Sequence, residues 1–129
     1  PVLRPLAFSS VSKGSYSGVA ERKAVLLTDA AQWNQHWQVH SAHQVPVPPA
    51  PAADFSQSAL LAVYMGEQTS GGHSITVTDV QEENGKLIVT VKQTAPGPNS
   101  IVTMALTQPY HIVRIPAVSK DTRVEVNWQ

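Results

Sequence analysis

The sequence contains no cysteine. Disulfides, thiolate nucleophiles and cysteine-based zinc or iron–sulfur sites are thereby excluded. Charge is also scarce, at 14% of 129 residues, against roughly 25% in ordinary soluble domains. Nine basic residues balance nine acidic ones. A neutral, sparsely charged chain has no electrostatic footing on nucleic acid or an anionic membrane. No apolar run approaches the roughly 20 residues of a transmembrane helix. Catalytic signatures are missing too. No Gly-x-Ser-x-Gly elbow accompanies the serines, so a triad with His73 or His111 and Asp54, Asp79 or Asp121 has no motif behind it. Glu67, Glu82 and Glu83 form no carboxylate pair, since Glu82 and Glu83 point to opposite faces of a strand. The chain opens on Pro1, not Met. The expectation is that a signal segment, another domain or a cloning boundary preceded it.

What is present is enough apolar residue, 42%, for one real core and one domain spanning 1–129. The polar surface must be built from Ser, Thr, Gln and Ala, a composition common in exported proteins. The chain is organised around Met65-Gly66-Glu67-Gln68-Thr69-Ser70-Gly71-Gly72-His73. Ala59 to Tyr64 before it is an unbroken apolar run of strand length, and His73 to Glu83 after it reads as a long strand. Adjacent glycines between two strands require positive φ or close approach by another segment. Gly71-Gly72 has neither the lysine nor the helix start of a phosphate loop.

Local chemistry places the other elements. Leu6-Ala7-Phe8 is a candidate edge strand, Lys13–Gly18 a turn, and Val19–Leu27 a strand. Asp29 is a helix N-cap with Gln32 three residues on, a capping-box variant. From Ala30 to about His40 the apolar spacing is helical, with Trp33 and Trp37 on one face beside Ala30. Two tryptophans on one stripe require a large partner surface, which a sheet supplies. Residues 44–53 carry Pro46, Pro48, Pro49 and Pro51 and predict an exposed, stiff loop. Asn84-Gly85 between strand-like runs predicts a type I′ hairpin. Pairing Glu83 with Lys86 puts Val80 opposite Val89 but Val77 opposite Lys92. A one-residue bulge near Thr78-Asp79 restores one apolar face. Ile101–Leu106, Tyr110–Ile115 and Arg123–Trp128 are further strands, the second an edge or short strand because Pro109 and Pro116 bracket it.

The sharpest candidate chemistry is His36, His40 and His43. The first two lie one helical turn apart, the spacing at which two imidazoles share a metal. No Glu stands between them, and no Asp or Glu lies between Asp29 and Asp54 to complete or support a site. The alternative is a rim of histidines flanking the tryptophan stripe.

Three stretches then share one pattern. Asp54-Phe55-Ser56 leads to Leu60-Leu61-Ala62-Val63 and Gly66. Thr69-Ser70-Gly71-Gly72-His73-Ser74-Ile75 follows. Pro96-Gly97-Pro98 precedes Thr107-Gln108-Pro109-Tyr110-His111-Ile112-Val113-Arg114-Ile115-Pro116. In this order and spacing the chain resembles the C-terminal domain of the PrcB-type protease-complex subunits of bacteria. The Gly14–Val19 turn and the Trp33 helix also fit. His73 departs from the family, which often has an aromatic residue there, and the proline segment is an insertion. The resemblance implies an exported protein, in the periplasm, cell envelope or secreted, acting as the non-catalytic companion of a protease. It implies no catalytic residues and no cofactor.

The expected fold is α+β: a mainly antiparallel sheet of about six strands with one helix packed on it. The expected function is a non-enzymatic module that binds a protein partner, such as an envelope protease. Gly66, Gly71, Gly72 and His73 form its structural or recognition turn. Metal or small-ligand binding through the histidine-bearing helix is the alternative.

Overall fold

The computed structural model describes residues 3–129. Pro1 and Val2, and the expectation attached to Pro1, lie outside the described residues. In chain order the elements are β1 (Arg4–Pro5), β2 (Ser9–Gly14), β3 (Arg22–Leu27), α1 (Ala30–His40) and β4 (Ser58–Met65). They continue with β5 (Ser74–Glu83), β6 (Lys86–Thr94), β7 (Tyr110–Pro116) and β8 (Arg123–Trp128). The fold is α+β and dominated by sheet. Among the described residues there are eight strands, not six, and they form two sheets of order β1-β5-β6-β8 and β2-β7-β4-β3. Every pairing is antiparallel except β6 with β8.

The layers explain the apolar patterns. The β2-β7-β4-β3 sheet lies inside, between the other sheet and α1. Its β4 is therefore buried on both faces, which is why Ala59–Tyr64 is continuously apolar rather than alternating. Ala59, Leu61 and Val63 face the outer sheet, packing with Ile75, Val77, Val80, Leu87, Val89 and Val91. Leu60, Ala62 and Tyr64 face α1, packing with Trp33 and Trp37. The outer sheet has only one packed face, so β6 alternates cleanly along Leu87, Val89 and Val91.

The hairpin follows its local chemistry. Asn84 (φ 46°) and Gly85 (φ 78°) close a two-residue turn, Glu83 pairs with Lys86, and Val80 with Val89. The register shifts between Val77 and Asp79, and Val77 then opposes Val91. Thr78 is thus the extra residue that returns Val77 to the apolar face. The helix start also agrees. Asp29 Oδ1 accepts from the Gln32 amide at 2.8 Å, and Gln32 Oε1 returns a bond to the Thr28 amide at 3.1 Å. Trp33 and Trp37 are buried but Ala30 is exposed, because the stripe begins one turn later.

Four expectations are corrected. Leu6-Ala7-Phe8 is no strand but the crossing between sheets, since β1 pairs with β5 and β2 with β7. Ile101–Leu106 forms no strand. β7 is interior, between β2 and β4, because its prolines sit where no ladder donor is lost. Pro116 is its last residue, and the Pro109 carbonyl accepts from the Met65 amide at 3.0 Å. The 44–53 segment is not simply exposed. Val47, Pro48, Ala50 and Pro51 are half-buried. The Trp37 indole donates to the Pro48 carbonyl at 2.7 Å and the Trp33 indole to the Pro51 carbonyl at 2.9 Å. Buried indole N–H groups require acceptors, and a proline-rich strap that cannot join a sheet offers free carbonyls.

Candidate functional site

Three loops meet at one end of the inner sheet: the β2–β3 turn, the Gly66–His73 connection and the β6–β7 loop. Gly66 leaves β4 with φ +90°. Glu67 N then donates to the Ala20 carbonyl at 3.0 Å, and Gln68 exchanges backbone bonds with Thr107 at 2.8 and 2.9 Å. Gly71 N donates to the Thr103 carbonyl at 2.8 Å, and the Thr107 hydroxyl to the Ser70 carbonyl at 2.8 Å. Gln108 ties the β2–β3 turn in, its amide donating to the Ser15 carbonyl at 2.7 Å. Its side chain donates to Glu67 at 2.9 Å and accepts from the Ser17 amide at 3.3 Å.

Both reasons for a double glycine hold here. Gly72 has φ +85°, and a Cβ on it would lie 2.9 Å from Pro96 and from Val102. Gly71 and Gly72 are therefore the seat of the β6–β7 loop. His73 is half-buried beside them, and its Nδ1 is buried without a hydrogen-bond partner.

That seating turns the loop outward. Ile101, Met104 and Leu106 are 102%, 87% and 57% exposed, three large apolar side chains within six residues. Hydrophobicity alone reads this stretch as a strand. The signal against it was the set of prolines at 96, 98 and 109, which leave little room for a ladder at either end.

The histidines lie elsewhere, between α1 and the inner sheet. His36 Nε2 is 2.6 Å from the Tyr64 hydroxyl. His40 Nδ1 is 3.3 Å from that hydroxyl and 2.8 Å from Ser17 Oγ. The His40 ring stands edge-on to Tyr110, centroids 4.3 Å apart. His43 is exposed. The three do not converge, and among the described residues no group of three or more His, Cys, Asp or Glu could hold a metal ion. Burial holds His40 well below the usual histidine range, at about 4, with His36 and His43 contributing. Burial lowers His36 as well, followed by the Lys23 charge, and burial raises Tyr64. The Ser17–His40 pair is no exposed nucleophile, since the two residues are only 4% and 2% exposed. Ser17 Oγ also accepts from the Val19 amide at 3.1 Å. The pair clasps the β2–β3 turn to the end of the helix, where Gly18 N donates to the His40 carbonyl at 2.7 Å. Ser17, Tyr64 and Tyr110 had no signature in the sequence, because their partners come from distant strands.

His111 joins the two sheets. Its Nδ1 accepts from the Val77 amide at 3.0 Å, beside the bulge. The proton therefore sits on Nε2, which donates to Ser10 Oγ at 3.0 Å. Burial, then the Lys13 charge, lowers its pKa and favours that neutral form. Of the carboxylates weighed for a triad, Asp54 accepts from the Ser56 amide at 3.0 Å and Asp79 from the Gln81 side chain at 2.8 Å. No helix among the described residues is long and apolar enough to cross a membrane.

Comparison with curated proteins and with solved structures gives no match. Comparison with family models gives one described as PrcB C-terminal, matching residues 59–116. The matched span runs from the doubly buried β4 through the glycine seat, the hairpin and the exposed loop to the end of β7. The match over residues 59–116 supports the likeness to the PrcB C-terminal domain-like family that the three motifs carry.

Proposed function

We propose that this chain is an exported, non-enzymatic accessory domain that binds a protein partner, an envelope protease in the first instance. The observation that carries the reading is the loop with Ile101, Met104 and Leu106 exposed and anchored at Gly71 and Thr107. Large apolar side chains on an anchored loop bind at small entropic cost, because the backbone is already held. Anchors of this kind act as hot spots when a partner desolvates them. The family match supports a role beside a protease, and the low charge suits a largely apolar interface.

The test compares the wild-type chain with Ile101→Ser/Met104→Ser in its native host. Wild type should co-purify a protease from the envelope fraction, and the double variant should not. Both side chains are exposed, so stability should change by no more than about 0.5 kcal/mol. Protease retained by the double variant would overturn the reading of the loop. Recovery of the chain in the cytoplasmic fraction would overturn the proposed compartment.

A further inference from the structure

The sheets leave four edge strands, and three are protected. β1 has two residues, one of them Pro5. β2 is broken by a register shift between Ser10 and Ser12. β8 carries exposed Arg123 and Glu125. β3 differs. It pairs with β4 through six consecutive residues without a shift, and after Arg22 and Lys23 its last four residues, Ala24-Val25-Leu26-Leu27, have no charge, proline or glycine. At its Arg22 end it leans on β8, the guanidinium 4.6 Å from the Trp128 ring centroid. Along the rest, a groove between β3 and α1 is lined by Val25, Leu27, Gln32, His36 and Val39. Val39 is 51% exposed. β3 has its charges only at the Arg22 end, and the regular apolar stretch beyond them is a template for another strand.

We propose that this edge pairs with the same edge of a second copy of the chain, antiparallel, about a two-fold axis at Val25. A two-fold normal to the sheet keeps residues of one face opposite residues of the same face. Centred on Val25, the pairs are Val25 with Val25, Ala24 with Leu26, Lys23 with Leu27 and Arg22 with Thr28. Val25 meets itself and Ala24 meets Leu26, Lys23 lies beside Leu27, and no like charges face each other. Centring on Ala24 would set both Lys23 and Arg22 against apolar residues, Val25 and Leu26, and centring on Leu26 would draw Asp29, the helix N-cap, and Ala30 of α1 into the ladder, so the Val25 register is the better one. The two copies carry no net charge to keep them apart. Self-pairing joins two four-stranded inner sheets into one continuous sheet. It also places the two exposed β6–β7 loops toward opposite ends, since each lies beyond the Arg22 end of β3. The surface is separate from the loop of the proposed function and does not depend on it.

The absence of native cysteine makes the register directly testable. Val25→Cys brings two thiols opposite one another, with Cβ atoms about 4.5–5.5 Å apart, close to disulfide geometry. Under mild oxidation it should form a covalent dimer, while Lys23→Cys, whose opposite residue is Leu27, should not. Sedimentation equilibrium of the intact chain from about 1 µM to about 1 mM should show reversible dimerisation. Val25→Lys, which sets two ammonium groups face to face, should weaken it about tenfold or more; Val25 also packs against the core beneath α1, so its fold is checked by circular dichroism at the same concentrations. Glu125→Lys, on the protected edge, should leave it unchanged. A chain that stays monomeric throughout, a dimer that survives Val25→Lys, or equal cross-linking of Lys23→Cys would each overturn the proposal. So would hydrogen exchange in β3 that slows only when an extended segment of another protein is present.

Discussion

Gly72 and Gly85 both have positive φ, +85° and +78°, yet their surroundings differ. A Cβ on Gly85 meets nothing within 4 Å, whereas one on Gly72 lies 2.9 Å from Pro96 and Val102. Alanine at Gly85 should therefore cost only the backbone term of about 1 kcal/mol. Gly72→Ala should cost more, and Gly72→Val more again, because β-branching adds to strain and clash. Chemical denaturation of the three variants would check the order. Equal losses, or an unchanged Gly72→Val, would mean the glycines serve recognition rather than seating. At the same scale, His40 sets an acid limit. Its folded pKa is depressed to about 4, so the unfolded chain takes up its proton first as pH falls. The stability is complete above the unfolded value near 6.5 and is lost progressively as pH falls toward 4. The full span is about 3 kcal/mol from this residue, and the lowered His36 and His111 act in the same direction. Unfolding free energies between pH 7 and pH 4 should show a shallower slope for His40→Asn. An identical slope would mean that His40 is not the group responsible.

Among the elements, the 46–53 strap is the one whose sequence misleads most. Its prolines predict exposure, but its carbonyls serve the two buried indoles. Exchanging residues 46–52 for a Gly/Ser linker of equal length would keep carbonyls at positions 48 and 51 but no longer hold them at the indoles, and would remove the packing of Val47 and Ala50. A buried donor left unpaired costs about 1–3 kcal/mol, so a loss of about 2–4 kcal/mol is expected, with tryptophan emission shifted to the red. Unshifted emission at undiminished stability would show the strap to be incidental. The β5–β6 hairpin is the opposite case. Asn84-Gly85 and the three-residue step from Val77 to Val80 predict the turn, the register and the bulge, because all three lie within one continuous stretch. The helix was equally legible from Asp29, Gln32 and the four-residue spacing of Trp33 and Trp37.

For the molecule as a whole, burial on both faces ranks the strands. β4 and β7 are central in the inner sheet and have few exposed residues. Their amides should exchange at or near the global unfolding limit, and those of β1 and β8, at edges, much faster. Amide exchange followed by NMR would check this. Faster exchange in β4 than in β8 would contradict the three-layer arrangement.

Short-range stereochemistry is written in the chain itself: a cap within three residues, a turn within two, a bulge within one strand. The exclusions follow from composition, since no fold creates a missing thiol or a transmembrane run. The family signature was also readable, as short motifs in order. Long-range pairing was not. His111 meets Ser10 across 101 residues, and Ser12 meets Tyr110 across 98. Such contacts settled that there are two sheets, that proline-flanked β7 lies inside one, and that Ile101–Leu106 stands free of both. They also gathered Ser17, His40 and Tyr64 beneath the helix. A strand's place and a histidine's environment depend on which distant surfaces bury it, and burial belongs to the assembled layers rather than to any one stretch of sequence.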